Sequence, residues 1–414
     1  MDIEVSIIIP SYNRYPLNLF NLLALENQTF NLSKMEVIFI DDASVDNTSL
    51  LKDYHPPFLF KYIQNQSNMG LSRTRNIGSK IAKGNIIFFL DAEIIVHPDF
   101  VSNHYRHHIT KDQIVVLGRH NTKLYSYLFP EFSSSQINDI YELGKNRSLV
   151  EERLCERLKQ NINDIELLAF IKKLKEPIQL TSKEDIMNWS SLESFSLSKT
   201  YTDKVFEQLA ENFDDRHLSW MACFGSNLSI KKDLFHMVGG YDEDFRGWGH
   251  EDIEFSYRLY KNGTEFIVDP NLTPYHQEHP ITVDKQLEGL KNMVLLQQKH
   301  PVIDVCIKSL ELIGEYDFGF IDRVLRENKS LNDNFPGRFE DFKSSIVFLL
   351  QQIPNLKIQK KPVCNLLQSS GIGNDLKRKK RIFSERNEIE AYKNYMNLVK
   401  LFDLLTVTSS HTQS

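Results

Sequence analysis

The stretch Asn85-Ile86-Ile87-Phe88-Phe89-Leu90-Asp91-Ala92-Glu93 constrains the fold more than any other part of the chain. Its apolar side chains, Ile86 to Leu90, run unbroken between Gly84 and the turn residues His97-Pro98, leaving no face for water. A strand of this kind is buried on both sides, as in a parallel sheet covered by helices. Asp91 then falls at the C-terminal end of the strand, the edge where open α/β sheets bind ligands. An extended backbone sends residues i and i+2 to the same side, so Asp91 and Glu93 are expected to face one crevice. Two such carboxylates repel each other unless a cation lies between them. The plainer alternative is a turn cap at Asp91 and a solvated Glu93.

The residues before this strand repeat its pattern. Ile3 to Ile9 is an apolar run ending at Pro10-Ser11-Tyr12-Asn13-Arg14, and Pro16 opens a helix with Leu17, Phe20, Leu23 and Ala24 on one face. A strand from Met35 to Ile40 ends on Asp41-Asp42, and the Ser44/Asp46 region caps a short helix. Phe58 to Ile63 reads as a third strand, and Gly70 to Ala82 as a helix carrying Arg73 and Arg75. This alternation predicts an α/β fold with a doubly wound, mostly parallel, Rossmann-like sheet. The G-x-G-x-x-G fingerprint is missing from the first turn, which disfavours an NAD or FAD enzyme. Tyr12-Asn13-Arg14, Asp41-Asp42 and Asp91-Ala92-Glu93 occupy the ligand edge instead. Carboxylates there can accept bonds from a base or ribose, Tyr12 can stack on a ring, and the third loop can hold a metal on phosphates.

At 414 residues the chain has room for more than one structural unit, and its net charge of -6 argues against a nucleic-acid partner. Cys155, Cys223, Cys306 and Cys364 have no paired spacing, which argues for reduced thiols and against a zinc site. No apolar run approaches the roughly 18 to 20 residues of a membrane span, and the N-terminus leads straight into a strand. A cytoplasmic location is therefore expected.

From about Thr122 to Asp215 the chain turns polar, and Leu149 to Leu174 has the pattern of an amphipathic helix. We read this segment as a helical insertion. Phe224 to Ile230 then reads as a strand entering a helix at Lys231 to Met237, and Gly247-Trp248-Gly249-His250-Glu251-Asp252 leads into a helix from Ile253 to Tyr260. Glu251 and Asp252 lie in its first turn, where anions are stabilised by roughly 0.3 to 1 kcal/mol. The flanking glycines let backbone approach a ligand, and Trp248 offers a flat apolar face that suits a sugar ring. After a strand from Glu265 to Val268, the segment Pro274-Tyr275-His276-Gln277-Glu278-His279-Pro280 makes one histidine a plausible metal ligand. The remainder is mostly helical, with a basic cluster at Lys377 to Arg381 before an amphipathic stretch from Ile382 to Leu405 and a tail expected to be disordered. That cluster reads as solvated charge or as a peripheral contact with an anionic membrane face.

In this order, Ile7-Ile8-Ile9-Pro10-Ser11-Tyr12-Asn13-Arg14, Asp41-Asp42-Ala43-Ser44, Asn68-Met69-Gly70 with Arg75-Asn76-Ile77-Gly78, and Phe89-Leu90-Asp91-Ala92-Glu93 resemble the inverting family 2 glycosyltransferases of the GT-A fold. Gly239-Gly240-Tyr241-Asp242 and Gly247-Trp248-Gly249-His250-Glu251-Asp252 resemble the galactosyltransferase-type C-terminal motif of chondroitin-type polymerases and β-1,4-galactosyltransferases. The resemblance divides the chain into a nucleotide-sugar-binding half (1–118), the helical insertion (119–215), an acceptor and catalytic half (216–283) and a helical C-terminal extension (284–414).

The resemblance further implies that Pro10, Tyr12 and Arg14 line the nucleotide site, that Asp42 holds the uracil, and that Arg75 fixes the nucleotide. Asp91 would contact the ribose or metal side. Glu93, standing where the family has the last Asp of its Asp-x-Asp motif, would ligate Mn²⁺ or Mg²⁺ with His276, or with His279 if His276 points away. Asp252 matches the catalytic base, Glu251 would orient the acceptor hydroxyl, and Trp248 would border both sugars. His250 stands where a glycine is often seen. The implied reaction moves a hexose or N-acetylhexosamine from a UDP-sugar to a glycan, lipid-linked, peptide or small-molecule hydroxyl. A nucleotidyltransferase and a non-catalytic sugar-nucleotide-binding protein are the competing classes.

Overall fold

The structure, a computed structural model, describes residues 2–118, 122–159, 167–198, 218–223, 225–281, 285–364 and 366–406. The chain forms two compact units. The first comprises Met1–Phe206, Trp220–Asp244 and Asp252–Val283, and the second Glu207–Ser219, Phe245–Glu251 and Asp284–Ser414.

The first unit contains the strands β1 (Val5–Ser11), β2 (Met35–Asp41), β3 (Leu59–Gln64), β4 (Ile86–Leu90), β5 (Ile94–Ile95), β6 (Ile114–Gly118), β7 (Thr122–Leu124), β8 (Tyr127–Leu128), β9 (Ile178–Gln179), β10 (Ser196–Leu197), β11 (Asn227–Lys231), β12 (Glu265–Asp269) and β13 (Tyr275–Gln277). Seven of them form one sheet in the order β12-β6-β11-β4-β1-β2-β3. All neighbours are parallel except β11, which runs antiparallel to both β4 and β6. The expected mostly parallel sheet is therefore the observed one, with a single reversed strand near its middle. Every residue of β1, β2 and β4 is buried, which is why these strands read as continuous apolar runs. β3, at the edge, alternates between exposed and half-buried positions.

From β1 the chain builds outward through β2 to β3, then returns to place β4 on the other side of β1. That reversal is the topological switch point, and it sets the loops after β1 and β4 side by side at the ligand edge. Pro10 lies inside β1, buried opposite Ile40 of β2. Pairing of β1 with β4 has already ended at Ile8 and Phe89, so the missing proline N–H costs that ladder nothing.

Several boundaries differ from expectation. β1 starts and ends two residues later than the run Ile3 to Ile9, and the expected helix at Ile253 to Tyr260 is Glu251–Lys261. Phe224 lies outside the described residues, and β11 begins at Asn227. The segment expected to be a helical insertion does hold helices, among them Ser134–Asn146, Ser148–Leu158 and Leu167–Ile171. The residues between the last two of these, where one amphipathic helix was expected, lie partly outside the described ones. The segment also supplies β7 and β10 to a second, four-stranded sheet, β10-β7-β13-β5, and β8 and β9 to a two-stranded one. Strands of two or three residues carry no readable period, so only the helices of this segment were visible in the sequence.

The second unit is helical where it is described. Its longer helices are Lys285–Lys299, Phe318–Asn334, Glu340–Ile358, Leu376–Ala391 and Met396–Thr406. The last two replace the single stretch expected from Ile382 to Leu405, and the tail from 407 onward lies outside the described residues. Leu398, Leu401, Phe402 and Leu405 bury one face of the final helix, with Phe402 against Phe342 and Phe383. In the basic cluster, Arg378 and Arg381 reach Asp341 at 3.9 and 2.6 Å. Among the described residues no helix is long and apolar enough to cross a membrane.

Candidate active site

The first two edge loops are tied to one another. Asn13 accepts the Val45 N–H on its side chain at 2.9 Å, and its own N–H donates to Ser44 Oγ at 2.9 Å. Asp46 accepts the N–H of Tyr15 and caps the 3₁₀ turn Asn47–Asp53 through Thr48 N–H, as expected for that region. Tyr12 projects from this pair of loops with 45% of its surface exposed.

Asp42 is 4% exposed and highly engaged. Its carboxylate accepts Asn65 Nδ2 at 2.7 Å, Met69 N–H at 2.8 Å and Gly70 N–H at 2.9 Å, and so fixes the entry to helix Leu71–Ile81. A carboxylate has about four acceptor positions, so these bonds leave capacity for one more donor.

Asp91-Ala92-Glu93 departs from the expected extended form. Ile94 N–H donates back to the Asp91 carbonyl at 3.0 Å, closing a turn, and Asn21 Nδ2 binds the Asp91 and Ile94 carbonyls at 3.2 and 2.6 Å. Strand alternation therefore does not explain where the two carboxylates point. The protein itself supplies cations to both. Arg75 Nη2 meets Asp91 Oδ1 at 2.9 Å, and Arg14 Nε meets Glu93 Oε2 at 3.3 Å.

The two acids respond in opposite directions. Burial raises the Asp91 carboxyl above its ordinary value, and Glu93 adds to this while Arg75 and His276 only partly oppose it. Burial also pushes Glu93 upward, but Arg14, His279 and His276 outweigh it and hold that carboxyl well below the usual range.

Ligand-bearing atoms of Glu93, His276 and His279 lie within 4.8 Å of one another. His276 arrives on β13, which pairs with β5 directly after the acidic turn, His276 opposite Ile94. Gln277 reinforces the junction: its N–H donates to the Glu93 carbonyl at 3.0 Å, and its side-chain amide donates to the Leu17 carbonyl at 2.9 Å. Both histidines, posed as alternatives on sequence, are thus in the cluster, and Asp91 is outside it. His279 Nδ1 donates to the Pro280 carbonyl at 2.9 Å, and its Nε2 lies 3.4 Å from Glu93 Oε1. His276 Nδ1 pairs with Glu278 Oε1 at 3.1 Å. An imidazole whose second nitrogen is held by a carboxylate or carbonyl is the usual form of a metal-binding histidine. The donor set of one carboxylate and two imidazoles fits a divalent ion.

Asp252 is the second residue of helix Glu251–Lys261 and belongs to the same unit as Asp91. Its Oδ2 accepts Gly225 N–H at 3.2 Å, and its Oδ1 accepts Ile253 N–H at 2.7 Å. The Gly225 carbonyl in turn accepts Arg75 Nη2 at 3.1 Å. Asp252, Gly225, Arg75 and Asp91 therefore form one hydrogen-bonded chain. Cys223 stands beside it, its thiol raised well above the ordinary value by burial and by Asp252, with Arg75 opposing. An added Cβ at Gly225 would lie 2.8 Å from Arg75 Nη1, so a side chain there would have to displace the buried guanidinium. Asn76, next along the helix, clasps the Gly240-Tyr241 turn with bonds to Tyr241 N–H and carbonyl at 3.0 and 2.8 Å. Sequence reasoning missed Asn21, Gly225, Gln277 and Glu278 as site-builders; the one signal open to it was that Glu278 separates the two histidines.

Glu251 and Trp248 belong to the second unit. Glu251 is 6% exposed and Trp248 54% exposed. His250 has φ 69°, the left-handed backbone that explains why glycine suits that place.

Residues 6–161 match the family description "Glycosyl transferase family 2", and residues 208–280 match "N-terminal domain of galactosyltransferase". Over residues 6–161 the chain is thus similar to family 2 glycosyltransferases, as the sequence motifs implied. Its mixed, mostly parallel sheet is the α/β class expected from the sequence. The uncharacterised glycosyltransferase YfnE of Bacillus subtilis (strain 168) is 28% identical over 79% of this chain and 78% of its own length. Validoxylamine A glucosyltransferase of Streptomyces hygroscopicus subsp. jinggangensis (strain 5008) is 28% identical over 72% of this chain and 61% of its own length. Chondroitin synthase of Pasteurella multocida (strain Pm70) is 29% identical over 73% of this chain and 28% of its own length. The chain thus spans less than two thirds of the latter two.

Proposed function

We propose that this glycosyltransferase moves a hexose or N-acetylhexosamine from a UDP-sugar to a hydroxyl of a glycan-like acceptor by an inverting, metal-assisted single displacement. The observation that carries the reading is the junction of Glu93, His276 and His279, with both histidines braced on oxygen through Nδ1. These three residues would hold the divalent ion, and two imidazole donors favour Mn²⁺ over Mg²⁺. When bound, such an ion offsets the charge that develops on a departing diphosphate.

The remaining tasks fall to the chain's own groups. Tyr12 offers its ring to the base, and Asp42 has one acceptor position left for the uracil N–H. Asp91, already paired with Arg75, suits a ribose hydroxyl better than the ion. Arg14 holds Glu93 ionised and oriented. Asp252 takes the proton of the attacking hydroxyl as the new bond forms on the opposite face of the sugar from the leaving group. The Gly225 and Ile253 N–H groups bind its oxygens and orient the carboxylate. The roles of Glu251 in orienting the acceptor and Trp248 in facing the sugars rest on the family resemblance. The names of two relatives, a chondroitin synthase and a validoxylamine A glucosyltransferase, support an acceptor of carbohydrate type.

A panel of UDP-sugars assayed for nucleotide release, with Mn²⁺ and with EDTA, tests the proposal. Mn²⁺-dependent release of UDP is expected for one of them. Pyrophosphate release would mark a nucleotidyltransferase, and no release with any donor would mark a binding protein.

A further inference from the structure

The geometry points to helix Lys285–Lys299 as a clamp that positions Trp248, so that Glu288, Gly289 and Asn292 are positioning residues for the acceptor sugar. This inference rests on the reading of Trp248 given above.

The loop that carries Trp248 is strained. Gly247, Gly249 and His250 all have left-handed backbone, at φ 73°, 99° and 69°. A non-glycine residue in that region costs on the order of 1 kcal/mol or more and persists only where the surroundings hold it. The helix supplies the hold. Glu288 Oε2 accepts the Trp248 N–H at 2.9 Å. Asn292 Nδ2 faces the carbonyls of Arg246, Trp248 and Gly249 at 3.1, 3.3 and 2.9 Å. Between these two, Gly289 leaves room for the indole: a Cβ there would stand 3.2 Å from Cζ3 of Trp248. On a helix the three residues fall within an arc of about 100°, so one face does the whole task. Asn292 is 6% exposed, whereas Trp248 keeps 54% of its surface open. The loop backbone is held while one face of the ring is left for a ligand. A side chain so held loses little freedom on binding, which is what preorganisation contributes to affinity.

Two readouts test this. Acrylamide quenching of Trp248 fluorescence is taken as the difference from Trp248→Phe, which subtracts Trp189 and Trp220. Transfer to a p-nitrophenyl β-glycoside gives acceptor KM and kcat. Asn292→Ala and Glu288→Ala are expected to raise the quenching constant about twofold and the acceptor KM about tenfold, with kcat changed less than threefold. Glu288→Gln, whose Oε1 still accepts the Trp248 N–H, is expected to restore both values. Wild-type quenching in Asn292→Ala and Glu288→Ala would overturn the clamp, as would failure of Glu288→Gln to restore. An unchanged acceptor KM in Trp248→Ala would instead overturn the reading of Trp248 as the acceptor platform.

Discussion

At the end of β4, Asp91 and Glu93 are met by guanidinium and imidazole groups, whereas at the start of helix Glu251–Lys261 the Asp252 oxygens accept backbone N–H groups from Gly225 and Ile253. The charged groups around Glu93 keep it ionised, a poor base but a good ligand, whereas burial raises Asp91 in spite of Arg75. At Asp252 the two backbone N–H bonds fix the orientation of the carboxylate. Sequence spacing treats the two places alike, as acids at the ends of elements. Under the proposed function, Glu93 would serve as ligand and Asp252 as base.

The largest effect expected from this contrast is at Asp252. Asp252→Asn should lower turnover about a thousandfold, within the range for a lost general base, and leave UDP affinity within about threefold. Parallel steady-state kinetics and UDP titration measure both; loss of the two together would merge the regions that the comparison separates.

Next in size is Arg75, which joins them. Its guanidinium is 1% exposed and binds both Asp91 and the carbonyl of Gly225. Arg75→Met leaves Asp91 without its cation and should cost about 3 kcal/mol in a denaturant unfolding experiment. A cost within error of zero would show that Asp91 does not depend on that partner.

Away from both regions, His104 sharpens the comparison as a histidine buried for packing. It is fully buried, with Nε2 donating to Asn227 Oδ1 at 3.1 Å and Nδ1 accepting from Ser229 Oγ at 2.8 Å. Burial pushes its pKa down to about 3, against the raising effect of the Asn227 bond. Because the folded value is depressed, the unfolded chain binds the proton more readily. This contribution is therefore complete above the unfolded value near 6.5 and is lost as pH falls from there toward 3. The loss at pH 5 should be about 2 kcal/mol relative to pH 8, and His104→Asn should flatten that part of the stability profile. An unchanged slope in the variant would show that His104 does not titrate in this way.

The ligand edge was legible in the sequence because β1, β2 and β4 are buried on both faces, and their apolar runs stop on the residues that matter. Asp91 and Glu93 were found for a reason that did not hold: a turn pinned by Asn21 sets them, and arginines serve as their counter-cations. The joint presence of His276 and His279 could not be resolved from spacing, since it depends on β13 pairing with β5 and β7, which are two and three residues long. Gly225 was read as one residue of a strand. Its close approach is to Arg75, 150 positions earlier in the chain, and no local pattern encodes that.

Calorimetric titration of UDP into the wild-type protein and Glu93→Gln, each with Mn²⁺ and with EDTA, addresses the metal site directly. Wild-type protein should bind UDP at least tenfold more tightly with Mn²⁺, and Glu93→Gln should lose that difference while retaining the weaker, metal-free affinity. Equal affinity with and without Mn²⁺ in the wild-type protein would contradict a divalent site at Glu93, His276 and His279.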